Sequence, residues 1–438
     1  MINRKEFFLT SLGVAAAGAA SAGLGEAADL PALGTFPRGT QGDSVFVGVV
    51  CDLTGPYAED GADQQRGYEL AFEQLNDNTG VFAKLSSLGK KKGLLGKRVA
   101  YRIADSQTKP APAIAQCTGY ITHDQAILIT GGISSEVALA LEKLGQDKKV
   151  LYLCGASGSN DITGKGCQRY GFRAQPSAYM AARALAPVLD KNLGNRRRAA
   201  YLVPDYNYGY SVFDSMKSFT ERIGWKTAGE VLCPLGTRDY APFLRKLAAT
   251  NADVFINATF GGDAIASTKQ AAQLGLSHAM RLVVPNISPF MADGVGAEAM
   301  AGVYGTLAWY WRLEQMFPLS RVFVDDFQAK FKALPRWTAY IAYLQMLIWA
   351  DAVARAKTFY PPAVIGALES ETLVDTPTGL VYYNPDDHQL VCPVPVVVGN
   401  APHAMTNRDD YFSIVEVVDG RDLTEPSKES GCVLPSAT

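Results

Sequence analysis

Apolar residues recur along this chain in two forms: short uninterrupted runs, and longer stretches in which they return every third or fourth position. Residues 45–50 are a run of the first form, as expected of a strand buried on both faces. The turn Thr54-Gly55-Pro56-Tyr57 follows, and then Tyr68, Phe72 and Leu75 fall at i, i+4 and i+7, on one face of a helix. The unit repeats. Residues 99–104, 127–130 and 150–154 read as strands, with helices at 112–122 and 136–145 between and after them. Such alternation predicts a doubly wound parallel sheet.

A second series with the same pattern starts after Phe172-Arg173. Residues 199–203, 231–232, 253–258 and 281–284 read as strands, separated by helices, the first of which carries Val212, Met216, Phe219 and Ile223 on one face. Helices at 240–249 and 263–274 complete this half. Further on come a strand near 303–307, helices at 321–333 and 337–356, and strands near 380–383, 394–398 and 412–418. The apolar stretch 340–350 is interrupted by Gln345 and closed by Asp351, which makes it a buried helix rather than a membrane span. The fold class expected is therefore α/β, with two doubly wound, Rossmann-like lobes.

Length and charge narrow the field. A chain of 438 residues is long enough for two cores, and 48% hydrophobic with 19% charged residues is the balance of an ordinary globular protein. A net charge of -2 provides no basic field for nucleic acid. At the start, Arg4 and Lys5 precede an uncharged stretch to Gly25 rich in Ala, Gly and Leu, too short to span a bilayer and followed by small residues suited to cleavage near Ala22 or Ala28. Residues 1–28 are thus an export signal, by either the general secretory or the twin-arginine route, and 29–43 an irregular linker. Export places the protein in the periplasm without stable membrane insertion. It also makes disulfides possible among the seven cysteines, with at least one thiol left over. Cys154 and Cys167 could close a loop, and Cys392 and Cys432 could pin the tail; neither pairing follows from spacing.

In open α/β sheets, ligands bind where strands turn into helices. In the first half those turns are small and hydroxyl-rich: Gly131-Gly132-Ile133-Ser134-Ser135 and Gly155-Ala156-Ser157-Gly158-Ser159-Asn160. In the second they carry rings, Tyr206 and Tyr208 after one strand and Phe260 after another, while Trp309-Tyr310-Trp311 follows a third. One wall of polar anchors and one of aromatic surface suit a small polar organic molecule. Catalytic patterns are missing. Ser157 lacks the final glycine of a nucleophile elbow, 93–98 lacks the spacing of a phosphate loop, and the four histidines lack metal-ligand spacing, with Asp386-Asp387-His388 only a weak metal candidate. Neither enzyme activity nor a cofactor is expected.

Several segments, in order, resemble the type I periplasmic binding proteins of the branched-chain amino acid and amide transport class. The strand and turn through Gly55 and Tyr57 look like the family's opening, with Thr54 for its usual serine. Residues 93–97 with Asp105-Ser106-Gln107, Trp337-Thr338-Ala339-Tyr340, Thr376-Pro377-Thr378-Gly379 and Asp387-His388-Gln389 resemble later segments. The resemblance implies a solute receptor that closes between two lobes and delivers its cargo to the permease and ATPase subunits of an ABC importer, or else a periplasmic sensor. It implies three crossings between lobes, near Arg173, Leu307 and Gly379, with lobe I at 44–173 and 307–378, lobe II at 174–306 and 379–422, and a tail at 423–438. By the same likeness, Ser134, Ser135 and the backbone at Ala156 to Gly158 would take a carboxylate, and Tyr57, Tyr206, Tyr208, Phe260 and Trp309 would wall the pocket. The family's acid for a ligand ammonium falls at Asn286, and its threonine near Gly158 is absent. A carboxylate, amide or flat organic ligand then stands beside a branched-chain amino acid as a candidate.

Overall fold

The computed structural model describes residues 30–435. The export signal expected at 1–28 lies outside the described residues. The chain divides into Met1–Pro31 and Ala32–Thr438, and the second part holds every element named below.

The first sheet contains β1 (Ser44–Cys51), β2 (Arg98–Asp105), β3 (Leu128–Gly131), β4 (Leu151–Cys154) and β5 (Gly171–Arg173), all parallel, in the order 2-1-3-4-5. Helices α1 (Ala58–Asp77), α2 (Pro110–Thr122) and α3 (Ser135–Lys148) make its crossovers. The chain then leaves through residues 174–177 into α4 (Ala178–Leu193). A second sheet follows with β6 (Arg198–Pro204), β7 (Lys226–Cys233), β8 (Val254–Asn257), β9 (Arg281–Asn286) and β10 (Tyr304–Thr306). Its order, 7-6-8-9-10, repeats the winding of the first sheet. Between these strands lie α5 (Asn207–Arg222), α6 (Ala241–Ala248), α7 (Gly261–Gln273) and the short α8 (Leu276–Ala279), α9 (Pro289–Val295) and α10 (Ala297–Met300).

After β10 the chain returns to the first lobe. There α11 (Pro318–Phe331) and α12 (Trp337–Ala356) are followed by α13 (Pro361–Leu368) and a small antiparallel sheet of β11 (Val374–Thr376), β12 (Gly379–Tyr383) and β13 (Leu390–Val391). It crosses again into β14 (Val394–Gly399) and β15 (Phe412–Val418), which extend the second sheet antiparallel beyond β10. Two doubly wound lobes on parallel sheets are thus the observed architecture.

Helix α12 is the buried helix expected from the apolar stretch 340–350. It is buried on nearly all sides because it lies under α1, and Gly67 permits the approach: a Cβ there would come within 2.2 Å of the Ala339 carbonyl oxygen. Gln345, which breaks the apolar run, ties the helix to the first sheet. Its amide nitrogen Nε2 donates to the Gly155 carbonyl at 2.9 Å, and its Oε1 accepts from Tyr68 Oη at 3.0 Å. Burying that amide with its partners supplied avoids the cost of an unsatisfied polar group.

Four features depart from the sequence reading. Helix α4 was not anticipated, although Arg183, Pro187 and Lys191 mark a polar side on an otherwise buried helix. Residues 30–43 are not a free linker: Phe36 is buried against Tyr360, ring centres 5.3 Å apart, and Thr35 Oγ1 donates to the Ala126 carbonyl at 2.9 Å. The third crossing falls at residues 392–393 rather than at Gly379. The β12–β13 hairpin stays with the first lobe, where Gln389 bridges to Arg173 and the Phe172 ring meets Tyr383 and His388. Finally, Cys167 bonds Cys432, combining one member from each of the two expected pairs, while Cys154 and Cys392 stay buried as free thiols.

Candidate functional site

The two sheets meet with the ends of their strands facing one another, and the turns there surround a small cavity of about 20 Å³. Its wall consists of Tyr57, Ile133, Ala156, Gly158 and Trp337 from the first lobe, Tyr206, Tyr208, Phe260 and Asn286 from the second, and Gln175 from the segment joining β5 to α4.

Local sequence explains how the rings arrive there. Tyr57, Tyr206 and Phe260 each occupy the position just before a helix, and Trp337 is the first residue of α12. Serine, threonine or aspartate usually fills that position and bonds back to the helix amides. A ring cannot do so, and none of these helices has a side-chain cap. The rings instead pack around Phe260, whose centre lies 5.5 Å from Tyr57, 6.3 Å from Tyr208 and 5.7 Å from Trp337. Tyr206 and Tyr208 tilt together at 5.9 Å.

The lobes touch across this cavity. Tyr57 Oη and Tyr206 Oη share a hydrogen bond of 2.5 Å, and Gly262 N donates to the Pro56 carbonyl at 3.0 Å. Gly261 and Gly158 are needed at the contact: a Cβ on the first would stand 2.6 Å from the Tyr57 ring, and one on the second 3.2 Å from the Tyr208 ring. Beyond the cavity, Arg336 of the first lobe pairs with Asp293 of the second. Ser159 Oγ meets Ser211 Oγ at 2.9 Å, and Asn207 Nδ2 donates to Asp161 at 2.5 Å. These contacts define a closed arrangement. Burial pushes the Tyr57 and Tyr206 phenols well above the ordinary tyrosine range, so both remain protonated.

Of the expected site residues, Tyr57, Ala156, Gly158, Tyr206, Tyr208, Phe260 and Asn286 come together on the cavity wall. Ser134, Ser135, Ser157 and Trp309 do not line it. The serines brace their own turns: Ser157 Oγ donates to the Ile133 carbonyl at 2.8 Å, Ser135 Oγ accepts from Ser159 N at 3.3 Å, and Ser134 sits just before α3. Two neighbouring amides are also engaged within the protein. Ile133 N–H is given to Asp52 at 2.5 Å and Ala156 N–H to the Gly132 carbonyl at 2.9 Å. Trp309 is fully buried in the core, stacked on Tyr340 at 5.3 Å with its indole N–H on Ser320 at 3.1 Å.

Three wall residues escaped the sequence reading as ligand contacts: Ile133, Gln175 and Trp337. Trp337 carries the same signal as Tyr57, a ring in the turn that opens a helix, but had been assigned wholly to a core helix. Gln175 lies in a crossing segment where no element was recognised. Gln175 matters because its Oε1 is buried and finds no hydrogen-bond partner among the described residues, whereas the Trp337 indole N–H acts on the neighbouring Asp60 carboxyl. Gln175 is only 5% exposed and lines the cavity, so a water or a solute there would relieve the cost of its unpaired oxygen.

A family model described as periplasmic binding protein matches residues 44–403. The chain belongs to that family. Among periplasmic binding proteins it is similar to the Leu/Ile/Val-binding protein homolog 4 of Brucella abortus, 22% identical over 406 residues, covering 90% of this chain and 93% of the relative. A periplasmic binding protein from Burkholderia mallei superposes with a TM-score of 0.80 at 23% identity, covering 89% of this chain and 98% of that one. A solute-binding protein of an ABC transporter from Rhodopseudomonas palustris, solved with 3,4-dihydroxybenzoic acid, gives 0.75 at 19% identity, covering 88% and 100%. These likenesses establish the two-lobed fold of the periplasmic binding proteins. Among the described residues, no helix is long and apolar enough to cross a membrane.

Where the chain leaves the first sheet, this periplasmic binding protein buries a charge. Arg173 is completely shielded, with Nε on Gln389 Oε1 at 2.7 Å, Nη2 on Thr163 Oγ1 at 2.6 Å and Nη1 on the Ser159 carbonyl. Cys154, Glu142, Asp387 and Glu425 lie within its field. Burial raises the Asp387 carboxyl to about 6, against the bond from Gln389 N and the pull of Arg173. His388, the weak metal candidate, is stacked on Phe172 at 3.8 Å, with one ring nitrogen on the Gly171 carbonyl and the other on Glu369, each at 2.7 Å. Both nitrogens are therefore engaged in joining β5 to the small sheet.

Proposed function

We propose that the protein captures a small polar organic solute by closing its lobes around the cavity, outside the cytoplasmic membrane, and presents the closed form to the permease and ATPase subunits of an ABC importer. The observation that carries this reading is the cavity itself, walled from both lobes and bordered by Gln175, whose buried Oε1 has no partner among the described residues. A solute that contacts both walls stabilises the closed form by its greater affinity for it, and the crossing segments act as the hinge. The expected export signal supports a periplasmic location. Relatives named for branched-chain amino acids, and a structural neighbour holding an aromatic acid, support a solute of comparable size.

A thermal-shift screen of amino acids, amides, aromatic acids and organic ammonium compounds, followed by calorimetry and small-angle scattering, tests the reading. A true solute raises the melting temperature by mass action and reduces the radius of gyration. A ligand that binds without compaction would refute capture by closure.

A further inference from the structure

Resting on that reading of solute capture, we propose that the solute carries an alkylated ammonium group, held against the faces of Tyr57, Tyr206, Tyr208, Phe260 and Trp337. Half of the cavity wall is aromatic, and none of its residues is Lys, Arg or His. Ring faces are negative, and a desolvated cation among several of them is attracted without needing a directed bond. An anion in the same place would meet those faces with nothing basic on the wall to compensate.

The surroundings reinforce the sign. Three carboxyl groups stand behind the rings. Asp52, taking the Ile133 amide, lies behind that residue and within the field of Tyr57. Asp60 lies beside Trp337, whose indole N–H acts on its carboxyl as a hydrogen-bond donor. Asp263, on the first turn of α7, acts on both Tyr57 and Tyr206. Burial raises all three carboxyls above the ordinary aspartate range, which disfavours their charged forms, and a cation in the cavity would offset that cost. The nearest guanidinium, Arg336, also acts on Asp60 but is paired with Asp293 and laid over Phe290 at 4.3 Å.

The polar atoms of the wall fit the same chemistry. Gln175 lines the cavity and its unpaired Oε1 is an acceptor, suited to the positive edge of an ammonium or to its N–H. Trp337 Nε1 acts on Asp60 and so ties one ring of the wall to a carboxyl behind it. Asn286 replaces the acid expected at its position and gives its Nδ2 to Tyr208 Oη at 2.9 Å, fixing that ring rather than contacting charge directly. The cation would thus be held by rings with carboxylates behind them, not by a salt bridge.

The test uses the purified full chain and five probes: tetramethylammonium, choline, methylated propylamine, the neutral carbon isostere of choline (3,3-dimethylbutan-1-ol) and benzoate. Calorimetry should give an ammonium probe an affinity at least about tenfold above that of the neutral isostere. Asp263→Asn should narrow that ratio, and Phe260→Leu should weaken the ammonium probes while its unliganded melting temperature shows that it still folds. Equal binding of choline and its isostere would overturn the proposal. So would binding of benzoate, or of any uncharged solute from the wider screen, where the ammonium probes fail; capture by closure would survive that result. Failure of every compound in the screen would refute both.

Discussion

Arg173 and Gln175 stand two residues apart where the chain passes between lobes, yet their polar atoms are treated in opposite ways. All three guanidinium nitrogens of Arg173 are bonded within the protein, whereas Gln175 Oε1 is buried without a partner among the described residues. Burying either group costs free energy unless the protein or a guest supplies the missing bond. The contrast separates two kinds of interlobe surface. Around Arg173 the bonding is finished and belongs to the fold; around Gln175 it is left open and belongs to whatever enters the cavity.

Changes at the finished surface should act on stability, and changes at the open one on affinity. The largest effect expected is from Arg173→Met, which leaves Glu142 and Asp387 buried without their counter-charge and should destabilise the fold by about 3–5 kcal/mol in urea denaturation. A loss under about 1 kcal/mol would show that Arg173 does not hold the crossing together. Next, Tyr208→Ala removes a ring from the cavity and should weaken the solute about a hundredfold by calorimetry. Unchanged affinity would move the site elsewhere.

A smaller effect concerns Asp387. Its folded pKa of about 6 stands above the ordinary aspartate value. Such a carboxyl stabilises the fold while protonated, fully so below about pH 4, and the contribution is lost as pH rises through the folded value. Asp387→Asn should therefore match the wild type near pH 4 and exceed its stability by about 1–2 kcal/mol at pH 7, measured as parallel denaturation curves. A gap independent of pH would contradict the assignment. The smallest change is Ser157→Ala. It removes a bond to the Ile133 carbonyl and should cost about 1 kcal/mol of stability while leaving solute affinity within about twofold.

Periodicity made the strands and most of the helices legible, because a parallel sheet covered on both faces needs uninterrupted apolar runs and its covering helices need one apolar stripe. It failed at α4, whose polar side at Arg183, Pro187 and Lys191 is narrow, and at β12–β13, whose pairing with the first lobe depends on contacts of Phe172 that no local pattern records. The ring positions of the cavity were legible for a different reason. An aromatic residue directly before a helix forgoes the usual cap, so its presence at Tyr206 and Phe260 asks for another role. The serine-rich turns were ambiguous because a hydroxyl can serve a guest or its own backbone. In Ser135 and Ser157 the distances favour the backbone, and only three-dimensional structure reveals that choice.

The bond between Cys167 and Cys432 joins positions 265 residues apart and so makes most of the polypeptide a covalent loop that includes the entire second sheet. A single protease cut anywhere within that loop leaves both fragments attached. Limited digestion should then yield one species of unchanged mass apart from the added water, and two pieces only after a thiol reductant is added.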